Sequence, residues 1–159
     1  MRRRLVLLVA LGAAVFVAAA VGGLWLAFGN PGAHEPTRQA YLARVSSVCR
    51  RYARQLARIG APYDVTAYGD VLETVGKVLP LLRQQSAAMQ AVQAPAELRP
   101  KLDRLFAFDG RSIVELEATV GAARRRDAGG VAKGFVRFSG TRDRVHALAV
   151  SIGIHCEAG

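Results

Sequence analysis

The residues able to do chemistry are few, and most stand alone. His155 and Cys156 are adjacent near the end of the chain, and Cys49 is the only other cysteine. A thiolate beside an imidazole suits a nucleophile, but a working Cys–His pair needs a third group to orient the ring. Cys49, His155 and Cys156 offer three metal ligands in a spacing that fits no standard zinc pattern. His34 and His146 are isolated. Glu115 and Glu117 stand two apart, so on a helix they diverge and form no acid–base pair. The chain has no phosphate loop, no dinucleotide fingerprint and no serine nucleophile elbow. The leading expectation is a non-enzymatic protein without a cofactor. The alternative is a metal-binding, redox or enzymatic module using His155 and Cys156.

Charge is the better lead. The 159 residues carry a formal net charge of +10, from 22 basic and 12 acidic residues. Nineteen of the basic residues are Arg, beside abundant Ala, Val and Gly, a bias that GC-rich genomes produce without any phosphate-binding role. The arginines are not spread evenly. Arg38, Arg44, Arg50, Arg51, Arg54 and Arg58 fall between positions 38 and 59, where no acidic residue occurs. Arg44, Arg50, Arg51, Arg54 and Arg58 are therefore the candidate surface for an anionic lipid, wall polymer or acidic protein partner. No aromatic platform interleaves them, so nucleic acid is not an expected partner. Arg124, Arg125 and Arg126 differ, because three cations in a helix's last turn complement its dipole.

These side chains need elements to hold them. Residues 5 to 28, LVLLVALGAAVFVAAAVGGLWLAF, contain no charge and follow Arg2, Arg3 and Arg4. At ~1.5 Å per residue such a helix spans about 36 Å, enough for a ~30 Å hydrocarbon core. Positive charge before the span places residues 1 to 4 in the cytoplasm and residues 30 to 159 outside. The alternative is a signal peptide cut near Ala18-Ala19-Ala20, but the apolar run continues past it to Phe28, beyond a usual h-region. Residues 29 to 36 read as a linker broken by Asn30-Pro31-Gly32. Residues 37 to 157 then make the exported domain, and the chain without Arg2, Arg3 and Arg4 keeps a charge of +7.

The expected fold is all-α: a single transmembrane helix and an extracytoplasmic antiparallel four-helix bundle. Helices are expected at about 37 to 59, 70 to 93, 96 to 126 and 129 to 153. In the first, Tyr41, Val45, Val48, Tyr52, Leu56 and Ile59 make an apolar stripe. Asp70 and Glu73 are placed to cap the second, and Pro80 to kink it. Asp127 is placed to cap the fourth. In the third and fourth, steps of 4 and 3 give stripes at 102, 106, 109, 113, 116, 120, 123 and at 131, 135, 138, 142, 145, 149, 152. Each stripe contains one charge, Asp109 or Arg142. If these two helices form a hairpin, the charges lie within about one turn of each other and can pair to fix register. His146 is a second candidate partner for Asp109, and Arg111 can instead draw Asp109 outward.

The cysteines set a geometric condition. An exported domain can keep a Cys49–Cys156 disulfide, and two buried free thiols are the alternative. With flush helices Cys49 sits near mid-height on the first helix and Cys156 past the membrane-near end of the fourth, a gap of ~18 Å against the ~7 Å a disulfide allows. If the bond forms, part of 37 to 48 is expected to project as a stalk.

The runs YLARVSSVCRRYARQLARI, LPLLRQQSAAMQAVQAPAELRPKLDRL and GFVRFSGTRDRVHALAVSIGIHC resemble uncharacterised exported or membrane-anchored helical proteins of high-GC Gram-positive bacteria. The resemblance covers residues 37 to 156. It implies an extracytoplasmic bundle with Cys49 paired to Cys156, and no activity or functional residue comes with it.

Overall fold

The computed structural model describes residues 35–62 and 64–156. The expected cytoplasmic tail at 1 to 4, the anchor at 5 to 28 and most of the linker lie outside them. No helix among the described residues is long and apolar enough to cross a membrane.

All regular structure among the described residues is helical. The elements are α1 (Arg38–Ile59), α2 (Tyr68–Gln90), a single 3-10 turn (Ala96–Leu98), α3 (Arg99–Arg124) and α4 (Ala128–Ile152). Thr37 caps α1 by accepting the Ala40 N–H at 3.2 Å. Asp127 caps α4 by accepting the Gly130 N–H at 2.8 Å. The Asp70 cap does not form. Asp64 makes the turn earlier, accepting from the Thr66 N–H and hydroxyl at 2.7 Å each. The helix therefore starts at Tyr68 behind an Ala67 that has no side-chain cap. Asp70 falls in its first turn, where a carboxylate suits the dipole. Glu73 turns instead to Lys77, 2.6 Å away. Pro80 lies inside α2, which continues through it. Pro100 occupies the first turn of α3, where its missing N–H has no helical acceptor.

Each helix packs on the next in the chain. Arg83 meets Glu117 while Tyr68 meets Arg126, Arg142 meets Asp109 while Gly134 meets Thr119, and Gln85 meets Cys49 while Val71 and Val75 share a core cluster with Leu56, so successive helices run antiparallel. The closest approach is between α3 and α4. A Cβ on Gly134 would collide with the Thr119 hydroxyl, and one on Gly130 would lie 2.9 Å from the Ala122 Cβ. Glycine here lets two backbones come together.

The expected stripes on α3 and α4 are rotated. On α3 the buried set is Leu102, Leu105, Ser112, Leu116, Thr119, Ala122 and Ala123, while Phe106, Ile113 and Val120 flank it. On α4, Gly134 and Thr141 are buried and Phe135, Phe138 and Arg142 flank them. Small polar residues hold the centre because their hydroxyls are satisfied locally. Ser112 donates to the Asp109 carbonyl at 2.7 Å and Thr119 to the Glu115 carbonyl at 2.8 Å. Large apolar side chains would hold α3 and α4 further apart.

The core has two parts. One contains Tyr41, Val45, Cys49, Leu102, Leu105, Ile152 and Ile154. The other contains Val71, Val75, Leu82, Leu116, Ala123 and Val131. Between them lies a polar belt of Gln85, Ser86, Asp109, Ser112, Thr141 and Arg142. A slip by one helical turn would bring belt residues against apolar ones, so the belt penalises wrong registers.

The stalk is absent. Tyr41 and Val45 in the first half of α1 are 1% and 0% exposed. The gap closes because the C-terminus turns back. Gly153, with φ 98°, ends α4 in a left-handed residue. The Ile154 N–H reaches the Ala149 carbonyl at 2.9 Å and the Gly153 N–H that of Val150 at 3.0 Å, a Schellman closure. Gly153 lies against Leu42, seven residues or ~10 Å of helix below Cys49. Three extended residues from Gly153 to Cys156 cover about the same distance. Flush helices and the bond are therefore compatible.

Candidate functional site

Two features invite a functional reading, the arginine face of α1 and the return segment that lies against its base. The apolar stripe of α1 turns Tyr41, Val45 and Cys49 inward. The 100° step between residues then puts Arg44, Arg51 and Arg58 on one outward line, with Arg54 beside it. All four are exposed and Arg50 is half-buried. The ion pairs among the described residues are Lys77–Glu73, Arg83–Glu117 and Arg142–Asp109. None involves an α1 arginine. Arg51 stacks on the neighbouring Tyr52 ring, 5.3 Å from its centre. Arg38 donates to the Ile152 carbonyl at 3.3 Å, tying the start of α1 to the end of α4. Six cations on one helix, none in an ion pair with a described residue, repel each other, and salt screens that repulsion only beyond ~8 Å.

The return segment adds to this face. The His155 N–H donates to the Ser46 hydroxyl at 3.1 Å, leaving the imidazole exposed. His155, Arg38 and Arg50 then border a shallow concavity of about 550 Å³ that also touches Leu42 and Gly153. Cys156 is bonded to Cys49, with S–S 2.01 Å and Cα atoms 4.9 Å apart. The sulfur that a nucleophile or a metal ligand would need is thus engaged. No group of three or more His, Cys, Asp or Glu among the described residues is placed to hold a metal ion.

Behind the disulfide is a small, partly open cavity of about 70 Å³, lined by both cysteines, Gln85, Asp109, Arg142 and His146 among others. The Gln85 amide donates to the Cys49 sulfur at 3.2 Å. The Arg142 Nη1 lies 2.6 Å from the Asp109 Oδ1, with side chains 30% and 14% exposed. His146 borders this cavity, and Arg111 lies over the Phe108 ring at 5.7 Å. Asp109 therefore has Arg142 as its partner. Burial pushes the Tyr41 phenol up to about 12, and its hydroxyl has no partner among the described residues. The hydrogen bond from Lys77 lowers the exposed Glu73 carboxyl.

Sequence reasoning missed Gln85 and Ser46. Neither interrupts an apolar stripe in a way that marks it as buried, and both are explained only by Cys49 and the return segment. No protein-family model, curated protein or solved structure matches the chain.

Proposed function

We propose that the chain is a membrane-anchored extracytoplasmic helical bundle that acts by binding, with the arginine face of α1 as the surface for an anionic partner. In this reading residues 5 to 28 span the membrane with the N-terminus in the cytoplasm, and 37 to 157 stand outside. This is the arrangement of the high-GC Gram-positive envelope proteins that the sequence resembles. The Cys49–Cys156 bond supports an oxidising compartment. The observation that carries the binding role is the acid-free helix: six arginines, none in an ion pair with a described residue. A surface of phosphate groups, in a lipid leaflet or a wall polymer, supplies the missing counter-charge. Near such a surface each arginine contributes about 1 kcal/mol.

The compact unit that begins at Glu35, oxidised and checked for helicity, is the material for the test. It is expected to float with phosphatidylglycerol-containing vesicles and not with neutral phosphatidylcholine, and to be released as salt rises. Replacing one of Arg44, Arg51, Arg54 or Arg58 by Ala is expected to weaken binding about fivefold. Equal partition to both vesicle types, with no binding to a soluble polyphosphate, would overturn the reading.

A further inference from the structure

Among the described residues the bundle is open along one side. Between the end of α1, the first half of α2 and the middle of α4 lies a groove of about 480 Å³. Its apolar wall includes Leu56, Val78, Leu82, Phe135 and Phe138, and among the described residues Arg142 is the one charged side chain lining it. Leu56, Val78, Phe135 and Phe138 are only half-buried, so large apolar surface faces the opening. The volume falls within the ~300–1,000 Å³ typical of small-molecule sites. A partner helix, ~10 Å across, presents a comparable volume in about one turn, which fits this groove poorly.

The charge narrows the ligand further. A guanidinium has five N–H donors, and one of those on Arg142 is engaged with Asp109. Arg142 is 30% exposed and lines the groove from the polar belt. An apolar wall with one cation complements a molecule that is apolar along its length and anionic at one end. A neutral hydrocarbon would leave donors unpaired, and a small soluble anion would leave the aromatic wall wet. We propose that the groove holds a single-chain anionic amphiphile, its acyl chain along Leu56, Val78, Phe135 and Phe138 and its acidic head on Arg142. The proposal rests on the membrane-anchored reading for a local supply of such molecules. Free fatty acid and a lysophospholipid share the chemistry, and the test separates them.

Full-length protein in its membrane is irradiated with palmitate carrying a diazirine in the chain, and in parallel with a lysophosphatidylglycerol carrying the same group. Labelled positions are mapped by mass spectrometry. Label is expected on 134 to 142 and 56 to 62, and the probe that gives more of it identifies the source. Unlabelled palmitate should compete and hexadecanol should not. Competition should weaken about fourfold for each methylene removed between palmitate and laurate. Ser139→Trp fills the groove from an exposed position and should cut groove labelling at least tenfold, as should Val78→Trp. Labelling of residues 5 to 28 reports the anchor separately. If 5 to 28 are labelled and the groove is not, or groove label persists in both Trp variants, the groove proposal is overturned while the anchor reading stands. If palmitate labels the groove and neither probe labels 5 to 28, the anchor reading fails and the groove stands. Equal competition by hexadecanol would overturn the role of Arg142.

Discussion

The two ends of the bundle are closed by different chemistry. At one end α3 and α4 are neighbours in the chain, joined through Arg125, Arg126 and Asp127. Glycines let their backbones touch, Asp127 caps the new helix, and the Tyr68 hydroxyl bonds the Arg126 carbonyl at 2.9 Å. At the other end α1 and the C-terminus must meet across more than a hundred residues, and closure there is covalent, with a sequence separation of 107. Short connections carry little loop entropy, so packing and caps suffice at the hairpin. A long closure costs more, and a disulfide offsets it by restricting the unfolded chain. The hairpin end should therefore be indifferent to redox conditions, and the end closed by the disulfide should not.

The largest effect is expected from Cys156→Ser. Loss of the crosslink should lower stability by about 4–5 kcal/mol in the chain-entropy model, read from denaturant midpoints. Hydrogen exchange should show α1 and the return segment opening before α3 and α4. Uniform loss of protection would erase the contrast between the ends. Next is the belt that divides them. Asp109→Leu should cost about 2 kcal/mol by leaving Arg142 unpaired, Asp109→Asn should cost less, and adding Arg142→Met to Asp109→Leu should restore most of the loss. No loss in any of the three would remove the pair from the account of register.

At the hairpin end Gly134→Ala should cost about 1–2 kcal/mol, since its Cβ meets the Thr119 hydroxyl and backbone. Gly140→Ala on the same helix meets nothing within 4 Å and should gain up to ~1 kcal/mol in thermal unfolding. At the disulfide end the phenol of Tyr41 ionises near 12 when folded and near 10.0 when unfolded. The folded state holds its proton longer, so this contribution is complete below pH 10 and declines as pH rises from 10 to 12. At pH 11 wild type should have lost about 1 kcal/mol more than Tyr41→Phe, relative to each protein at pH 8.

Much of the scaffold was legible because it depends on local patterns. Helix number, the Asp127 cap and the apolar stripe of α1 follow from short-range spacing. The rotation of α3 and α4 was not legible, because Ser112, Thr119 and Gly134 read as poor core residues until two backbones approach closely. The return of the C-terminus was missed for a related reason. Gly153 signals a helix end, but its left-handed geometry turns the chain back onto α1, and only tertiary contacts with Leu42 and Ser46 reveal that. The arginine face was readable from the absence of acid between Arg38 and Ile59. The groove was not, because Leu56, Phe135 and Phe138 look like ordinary core residues in sequence.

The most direct measurement compares arginines on two helices at equal net charge. Arg44, Arg51, Arg54 and Arg58 on α1 are replaced by Gln in one variant, and Arg99, Arg104, Arg111 and Arg124 on α3 in another. All eight are exposed. Flotation with phosphatidylglycerol-containing vesicles is measured at about 0.15 M salt. If the α1 face is the anionic-partner surface, the α1 variant loses about a hundredfold or more in affinity and the α3 variant less than about fivefold. Equal losses would show that net charge alone drives the interaction and would contradict the assignment of the site to α1.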